Sequence, residues 1–287
     1  MNGIIIVDKP AGFTSHDVVA KLRGIYKTRR IGHTGTLDPM ATGVLPIFIG
    51  RATRACTFAE SDTKTYRAEL QLGVETDTQD SSGTILRETP VTATLRDVLR
   101  VSRNFVGEIE QIPPMYSAVK IDGVRLYKLA RQGVEVARPP RPVTIFSIGV
   151  TKLSRARYIL DVHCGKGTYI RTLCADIGAA LGCGAMLTSL RRTRAGAFSI
   201  DAAHTLDEIQ AAPLSLLRPL DSLFAEYPAV TIDDAGMQKC KNGAPVPFSA
   251  APGTYRVYAP SGEFLMLAES SGTALLTIKS FFEVDKP

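Results

Sequence analysis

The sequence has no Cys-x-x-Cys pair. Its five cysteines (56, 164, 174, 183 and 240) are odd in number and scattered. That excludes a zinc ribbon and a paired disulfide framework, and reads as reduced thiols in a cytoplasmic protein. The four histidines, His16, His33, His163 and His204, have no H-x3-H companion, so no metal site is expected. Apolar runs fall well short of the ~20 residues of a membrane span. The run in MNGIIIVDKP is too short for a signal peptide, and Asp8 follows it at once. There is no internal repeat, no low-complexity tract and no oligomer signal. These absences leave a soluble, membrane-free monomer without a cofactor as the expectation.

The chain has 287 residues, of which 45% are hydrophobic, enough for one large core and a small second domain. Charged residues are 22%, which disfavours global disorder. The net charge of +6 is unevenly placed: residues 226–287 hold five Lys/Arg against seven Asp/Glu, and residues 1–225 hold 29 against 21. An excess of positive charge in the larger part fits a polyanionic partner such as nucleic acid.

Hydrophobic patterning predicts the elements. GIIIVDKP is a buried strand ended by Pro10, and TSHDVVAKLRGIY is an amphipathic helix with a Thr14/Asp17 capping box. VLPIFIG is an apolar strand. KTYRAELQLG alternates Tyr66, Ala68, Leu70 and Leu72 with polar neighbours, as in a half-buried strand. TDTQDSSG is a polar turn, and residues 92–105 are helical. VTIFSIGV and RYILDVHCG are strands. TYIRTLCADIGAALG is a helix with Ile170, Leu173, Ile177, Ala180 and Leu181 inward, ended by Gly182. LRRTRAGAFSI leads into a strand, and Thr205 caps a short helix. Beyond residue 225 come short strands with glycine turns. No regular βαβ rhythm appears, so the expected class is α+β, with a mixed, largely antiparallel sheet. The expected division is 1–225 and a small β-rich domain over 226–287.

Residues 113–142 stand apart. Prolines bracket the segment, and it holds six Lys/Arg, two acids, and Tyr116 and Tyr127. It reads either as a plain surface hairpin and helix or as a flap over a polyanion, its cations meeting phosphates and its tyrosines meeting bases.

Three motifs of phosphate chemistry fail. In TGTLD, His33 replaces the Lys before the Thr-Gly-Thr of an aspartyl-phosphate loop, and Gly32 stands where its Asp should be. GKGT at 165–168 lacks the first glycine of a P-loop, with Leu160 in its place, and has Gly167 where Ser or Thr should follow Lys166. HCGKGTYIRT puts six residues between Cys164 and Arg171 where tyrosine phosphatases have five. Cys164 therefore reads as core, with a phosphatase as a remote alternative.

GHTGTLDPMATG, residues 32–43, is a different loop. Gly32, Gly35 and Gly43 allow tight backbone, and Pro39 restricts Asp38 to extended geometry. The product is a rigid turn presenting one carboxylate, Asp38. It is either an Asx-type turn or a functional projection.

GHTGTLDPMATGVLP closely resembles the catalytic motif of the TruB family of tRNA pseudouridine synthases. VDKPAGFTSHD, YRAELQLGVETDTQDSSG, IEQIPPMYSAVKIDGVRLYKLARQG, HCGKGTYIRTLCADIG and LGCGAMLTSLRRTRAG follow in family order, covering about residues 3–210. The resemblance implies a pseudouridine synthase fold with a C-terminal PUA-like RNA-binding domain. It implies no metal or cofactor, and it implies isomerisation of uridine 55 in the TΨC loop of tRNA. Asp38 is the implied nucleophile and Arg171 its partner. An arginine neighbour lowers an aspartate pKa by roughly 1–3 units, so Asp38 is expected to stay ionised. Tyr66 is implied as the ring that stacks on the flipped base and as a group considered for taking the C5 proton. Tyr169 and Leu190 are implied to line the base pocket, and His33 to enter the space the base leaves. Lys9 either orients the loop or merely supports it. The competing reading is a non-catalytic RNA binder or tRNA chaperone, which would need neither Asp38 nor Arg171.

Overall fold

The fold is given by a computed structural model that describes residues 1–60 and 63–283. The first half of the chain forms β1 (Gly3–Lys9), α1 (Ser15–Tyr26), β2 (Ile31–His33), β3 (Thr42–Ile49), β4 (Thr63–Leu72), β5 (Val74–Thr76), β6 (Ile85–Glu88), α2 (Leu95–Arg103) and β7 (Gly107–Gln111). Next come β8 (Lys120–Ile121), β9 (Val124–Arg125), α3 (Leu126–Ala130), β10 (Arg141–Lys152), β11 (Arg157–Gly165), α4 (Ile170–Ala180), β12 (Ala185–Ala195), β13 (Phe198–Ser199) and α5 (Leu206–Ala211). The last part holds β14 (Ala229–Thr231), α6 (Asp234–Lys241), β15 (Val246–Pro247), β16 (Gly253–Tyr258), β17 (Phe264–Ser270) and β18 (Ala274–Ser280).

The large sheet runs β1-β3-β12-β4-β11-β10-β7, with β2 also on β3 and β13 on β12. All its pairs are antiparallel except β3 with β12, which run parallel through Thr42–Arg191 and Gly43–Arg192. β12 therefore joins two halves, β1-β3 on one side and β4-β11-β10-β7 on the other. The alternation expected in β4 is realised: Tyr66, Ala68, Leu70 and Leu72 are buried. They pack with Val18 and Leu22 of α1, Val98 of α2 and Leu173 and Ile177 of α4. On the opposite face Ile4, Ile6, Val44 and Phe48 join Phe224, Leu267 and Phe281.

That second cluster ties the C-terminal part to the large sheet. The last five strands form their own sheet, β14-β16-β17-β18-β15, with a core of Val257, Leu265, Met266 and Leu275. Arg54 reaches across to the carbonyls of Ser280 and Phe282 at 3.3 and 3.0 Å. The architecture is the expected α+β fold with a mixed sheet and a β-rich C-terminal part. Among the described residues no helix is long and apolar enough to cross a membrane.

The helix caps follow the sequence. Thr14 with Asp17, Thr94 with Asp97, and Thr205 with Glu208 all form reciprocal capping boxes, each satisfying donors that a helix start leaves unpaired. Three details differ from expectation. LRRTRA is not a lead-in but the end of β12 itself. Ala180 faces solvent, because α4 rolls Cys174 and Gly178 inward in its place. α6 was not expected from DAGMQKCK; the Asp233 side chain accepts from the Gly236 N–H at 2.7 Å and starts it.

The basic segment departs from the sheet and returns to it. Gln111, the last residue of β7, pairs with Arg141, the first of β10. Residues 112–140 are thus an excursion between two facing positions, carrying the β8–β9 hairpin and α3.

Candidate active site

The loop after β2 is fixed from several sides. Leu37 is buried, and its N–H and C=O both bond the Ser15 hydroxyl, at 3.0 and 3.2 Å. The Pro39 carbonyl accepts from the Gly12 N–H at 2.9 Å and from Lys9 Nζ at 3.2 Å. Lys9 is fully buried and also donates to the Pro10 and Phe13 carbonyls. Burial pushes its pKa down to about 8, against the pull of Asp38 and Asp17. Lys9 therefore clamps the loop next to Asp38.

The far end of the loop depends on one glycine. Gly43 has φ +98°, and a Cβ there would sit 2.2 Å from the Arg192 carbonyl oxygen. Only glycine accepts both the left-handed backbone and the close parallel approach of β3 to β12. Arg192, 1% exposed, locks the same junction: its Nε donates to the Val44 carbonyl and its Nη2 to the Gly35 carbonyl, each at 2.7 Å.

So held, Asp38 faces Arg171 on the first turn of α4. Arg171 Nη2 lies 3.4 Å from Asp38 Oδ2, and Nη1 lies 3.7 Å from Asp80 Oδ2. Nη2 also donates to the Tyr116 carbonyl of the basic excursion at 2.6 Å. The tyrosine before the helix is held by Gln111, whose side chain accepts the Tyr169 N–H and donates to the Tyr169 carbonyl, at 3.0 and 3.2 Å. This clamp stands in for the side-chain cap that α4 lacks.

A cavity of about 100 Å³ opens on this pair, walled by Thr36, Leu37, Tyr66, Thr168, Tyr169, Ile170 and Leu190 with Asp38 and Arg171. A second cavity of about 490 Å³ shares the Asp38–Arg171 wall and extends between the 77–84 turn and Tyr116 and Arg131. Five of the expected site residues, Asp38, Tyr66, Arg171, Tyr169 and Leu190, thus meet in one place. His33 and Lys9 do not line the small cavity. The His33 ring lies edge-on to His16 at 5.5 Å, with Nδ1 buried and unpartnered.

The electrostatics differ from expectation in one respect. Desolvation raises the Asp38 pKa; Arg171 and then Lys9 pull it down, while Asp80 pushes it up, and the net direction is upward. Although 38% of the side chain remains accessible, it opens onto protein-walled cavities, and the guanidinium is shared with Asp80. The Tyr66 hydroxyl is raised as well, chiefly by burial, with Arg192 opposing.

Two residues of this constellation were not singled out from the sequence. Asp80 is 3% exposed, and its Oδ1 is saturated by Thr78 Oγ1, the Ser82 N–H and Ser82 Oγ. Its only signal was a run of Asp, Thr and Ser that reads as a solvated turn. Arg192, in the stretch RRTR, reads as a surface cation. Cys164 is fully buried in β11, and burial pushes its thiol up to about 11. A phosphatase nucleophile needs a depressed thiol pKa, so this geometry removes that alternative.

Residues 23–170 match the family model described as TruB family pseudouridylate synthase (N terminal domain), and residues 171–225 match the tRNA pseudouridylate synthase B C-terminal domain. The chain belongs to the TruB family of pseudouridine synthases. A tRNA pseudouridine synthase B of Syntrophotalea carbinolica is 49% identical over 250 residues, 85% of this chain and 82% of the relative. The protein of the same name from Clostridium kluyveri is 39% identical over 288 residues, covering 98% of this chain and 100% of the relative. Among solved structures, a chain of a Cbf5–Nop10–Gar1 complex superposes with a TM-score of 0.71 at 26% identity, covering 99% of this chain and 86% of that one. A second, from an H/ACA RNP bound to a substrate RNA containing 2'-deoxyuridine, gives 0.69 at 25% identity, with coverage of 99% and 86%. TruB membership makes the chain an isomerase, and the enzymatic reading prevails over that of a passive RNA binder.

Proposed function

We propose that this enzyme isomerises uridine to pseudouridine at position 55 in the TΨC loop of tRNA, with Asp38 as the nucleophile. The observation that carries the reading is the Asp38–Arg171 pair at the mouth of a cavity walled by Tyr66, Tyr169 and Leu190. A uracil inside folded RNA must first be unstacked, at a cost of a few kcal/mol. Stacking on the Tyr66 ring returns about 1–3 kcal/mol. Cations of the 113–142 flap meet phosphates and supply the remainder. His33, which does not line the cavity, enters the space the base leaves. Lys9 holds the loop. The part over 226–287 serves as a PUA-like RNA-binding domain on tRNA, and the enzyme works as a monomer in the cytoplasm.

Asp38 attacks either the anomeric carbon C1′, with uracil leaving as its anion, or C6 of the ring. In either mode the N1–C1′ bond breaks, the base turns and a C5–C1′ bond forms; Asp38 leaves C1′ as that bond forms in the first mode, and leaves C6 together with the C5 proton in the second. The C5 proton then leaves and N1 gains one, so the reaction is an isomerisation with no net redox change. Tyr66 is the group that takes the C5 proton.

The test is to incubate the pure enzyme with an unmodified tRNA transcript and map pseudouridine by nucleotide. Wild type should modify position 55 alone. Asp38→Asn should form none while binding the transcript nearly as tightly. Full activity in that variant would remove Asp38 from the chemistry, and modification elsewhere would correct the substrate position.

A further inference from the structure

Arg192 is the largest fully buried side chain among the described residues. Among the described residues no carboxylate lies within ion-pairing distance of it, whereas its neighbour Arg191 is paired with Asp8 at 2.7 Å on the other side of β12. Taking a cation out of water without a counter-ion is costly, and two carbonyl acceptors do not offset its charge. A permanent buried cation of this kind suits a place where negative charge develops during turnover.

The register names that place. Arg192 on β12 and Tyr66 on β4 are directly opposed across an antiparallel pair, so their side chains share one face of the sheet. Both are buried, and Tyr66 forms a wall of the cavity at Asp38. The Nε and Nη2 donors are taken up by Val44 and Gly35, which fixes the guanidinium and leaves Nη1 free of a carbonyl. The Arg192 charge lies close enough to the Tyr66 hydroxyl to favour the phenolate, opposing the rise that burial causes. Asp38 feels Arg171, Asp80 and Lys9 instead.

We propose that Arg192 is a positioning residue for the final proton transfer, holding the Tyr66 phenol oxygen and stabilising the negative charge on it as it takes the C5 proton. This rests on the reading of Tyr66 as the C5 base. In the mode that attacks C1′, Asp38 is again a free carboxylate once the C5–C1′ bond has formed. The phenol proton passes to Asp38 as the phenol oxygen accepts the proton from C5, and the electron pair of the C5–H bond restores the aromatic ring, with N1 protonated from solvent. Arg192 donates to the phenol oxygen throughout, so oxygen charge never develops unpaired in a dry site.

The experiment uses single-turnover kinetics on tRNA transcripts carrying uridine or 5-deuterouridine, with wild type, Arg192→Lys, Arg192→Met and Tyr66→Phe. Removing a donor aimed at developing charge costs about 100-fold or more in rate. Arg192→Met should lose that much and acquire a primary isotope effect that wild type lacks. Arg192→Lys, which keeps the charge, should recover part of the rate and reduce the isotope effect. Adding Arg192→Lys to Tyr66→Phe should cost nothing further. Loss of rate in both Arg192 variants without an isotope effect, or full additivity with Tyr66→Phe, would overturn the proposal and leave Arg192 a scaffold. If Arg192→Met does not fold, the Lys variant and the double variant decide. If wild type makes no pseudouridine on any transcript, the parent reading fails. If Tyr66→Phe transfers the C5 proton at the wild-type rate, the choice of base fails.

Discussion

At the scale of single residues, the site is governed by competition for Arg171. One guanidinium serves Asp38, the buried Asp80 and the Tyr116 carbonyl. Asp38 therefore sits above the ordinary aspartate value of 3.8. In the proposed mechanism attack requires the ionised form, so the single-turnover rate should be full above the Asp38 pKa and fall as pH drops through it, with a midpoint above 3.8. Arg171→Met removes the main influence holding that pKa down, and should move the acid limb upward by about 1–3 units. A pH–rate profile of the two enzymes checks it, and an unmoved limb would show that Arg171 does not set the charge on Asp38. Asp38 could be picked out in the sequence because proline and glycine advertise a special turn. Asp80 could not. It reaches the site only because the 77–84 turn folds back onto β12, where the Leu187 N–H bonds the Gln79 carbonyl at 3.0 Å.

At the scale of elements, local codes were readable and juxtapositions were not. The Thr14–Asp17 box and the Thr205 cap announce two helices from a few residues each, because the capping bonds are made within the motif. The period of two in β4 announces its buried face for the same reason. The parallel β3–β12 contact joins residues 42–43 to 191–192, and nothing local encodes it. Its physical trace is a glycine. Gly43→Ala should destabilise the protein by about 2–4 kcal/mol, through backbone strain and collision with β12. Gly24→Ala, inside α1 with open space around it, should instead add up to about 1 kcal/mol. Urea midpoints of the two variants test this directly. Equal effects would mean that the β3–β12 approach is not as tight as described.

At the scale of the whole molecule, the C-terminal sheet is packed on rather than tethered. Phe281 and Leu267 belong to the same apolar cluster as Phe48 and Phe224, and Phe281 stacks on Phe264 at 5.2 Å. Phe281→Ala should therefore cost about 3–5 kcal/mol of stability, read as a lower Tm. The pseudouridine-forming rate at 25 °C should stay within a factor of two or so. A Tm unchanged by that substitution would make the sheet an independent appendage. The sequence announced this part by its short strands and its acidic balance, but not its attachment. The attaching residues lie on both sides of residue 225, and each alone reads as an ordinary core residue.

The order of strands also has a consequence in time. Asp38 leads into β3, Tyr66 lies on β4, and the strand between them, β12, spans Ala185–Ala195. As the chain emerges from a ribosome, Asp38 and Tyr66 appear early but belong to sheet halves whose strands do not pair with each other. They become neighbours only when β12 slides in, bringing Leu190 and Arg192 with it. Such late, long-range closure is the slow kind of folding event. A nascent chain therefore carries most of the chemistry-bearing side chains for much of its synthesis with no pocket to use them in. The pocket at Asp38 is completed in one step, when β12 closes the sheet.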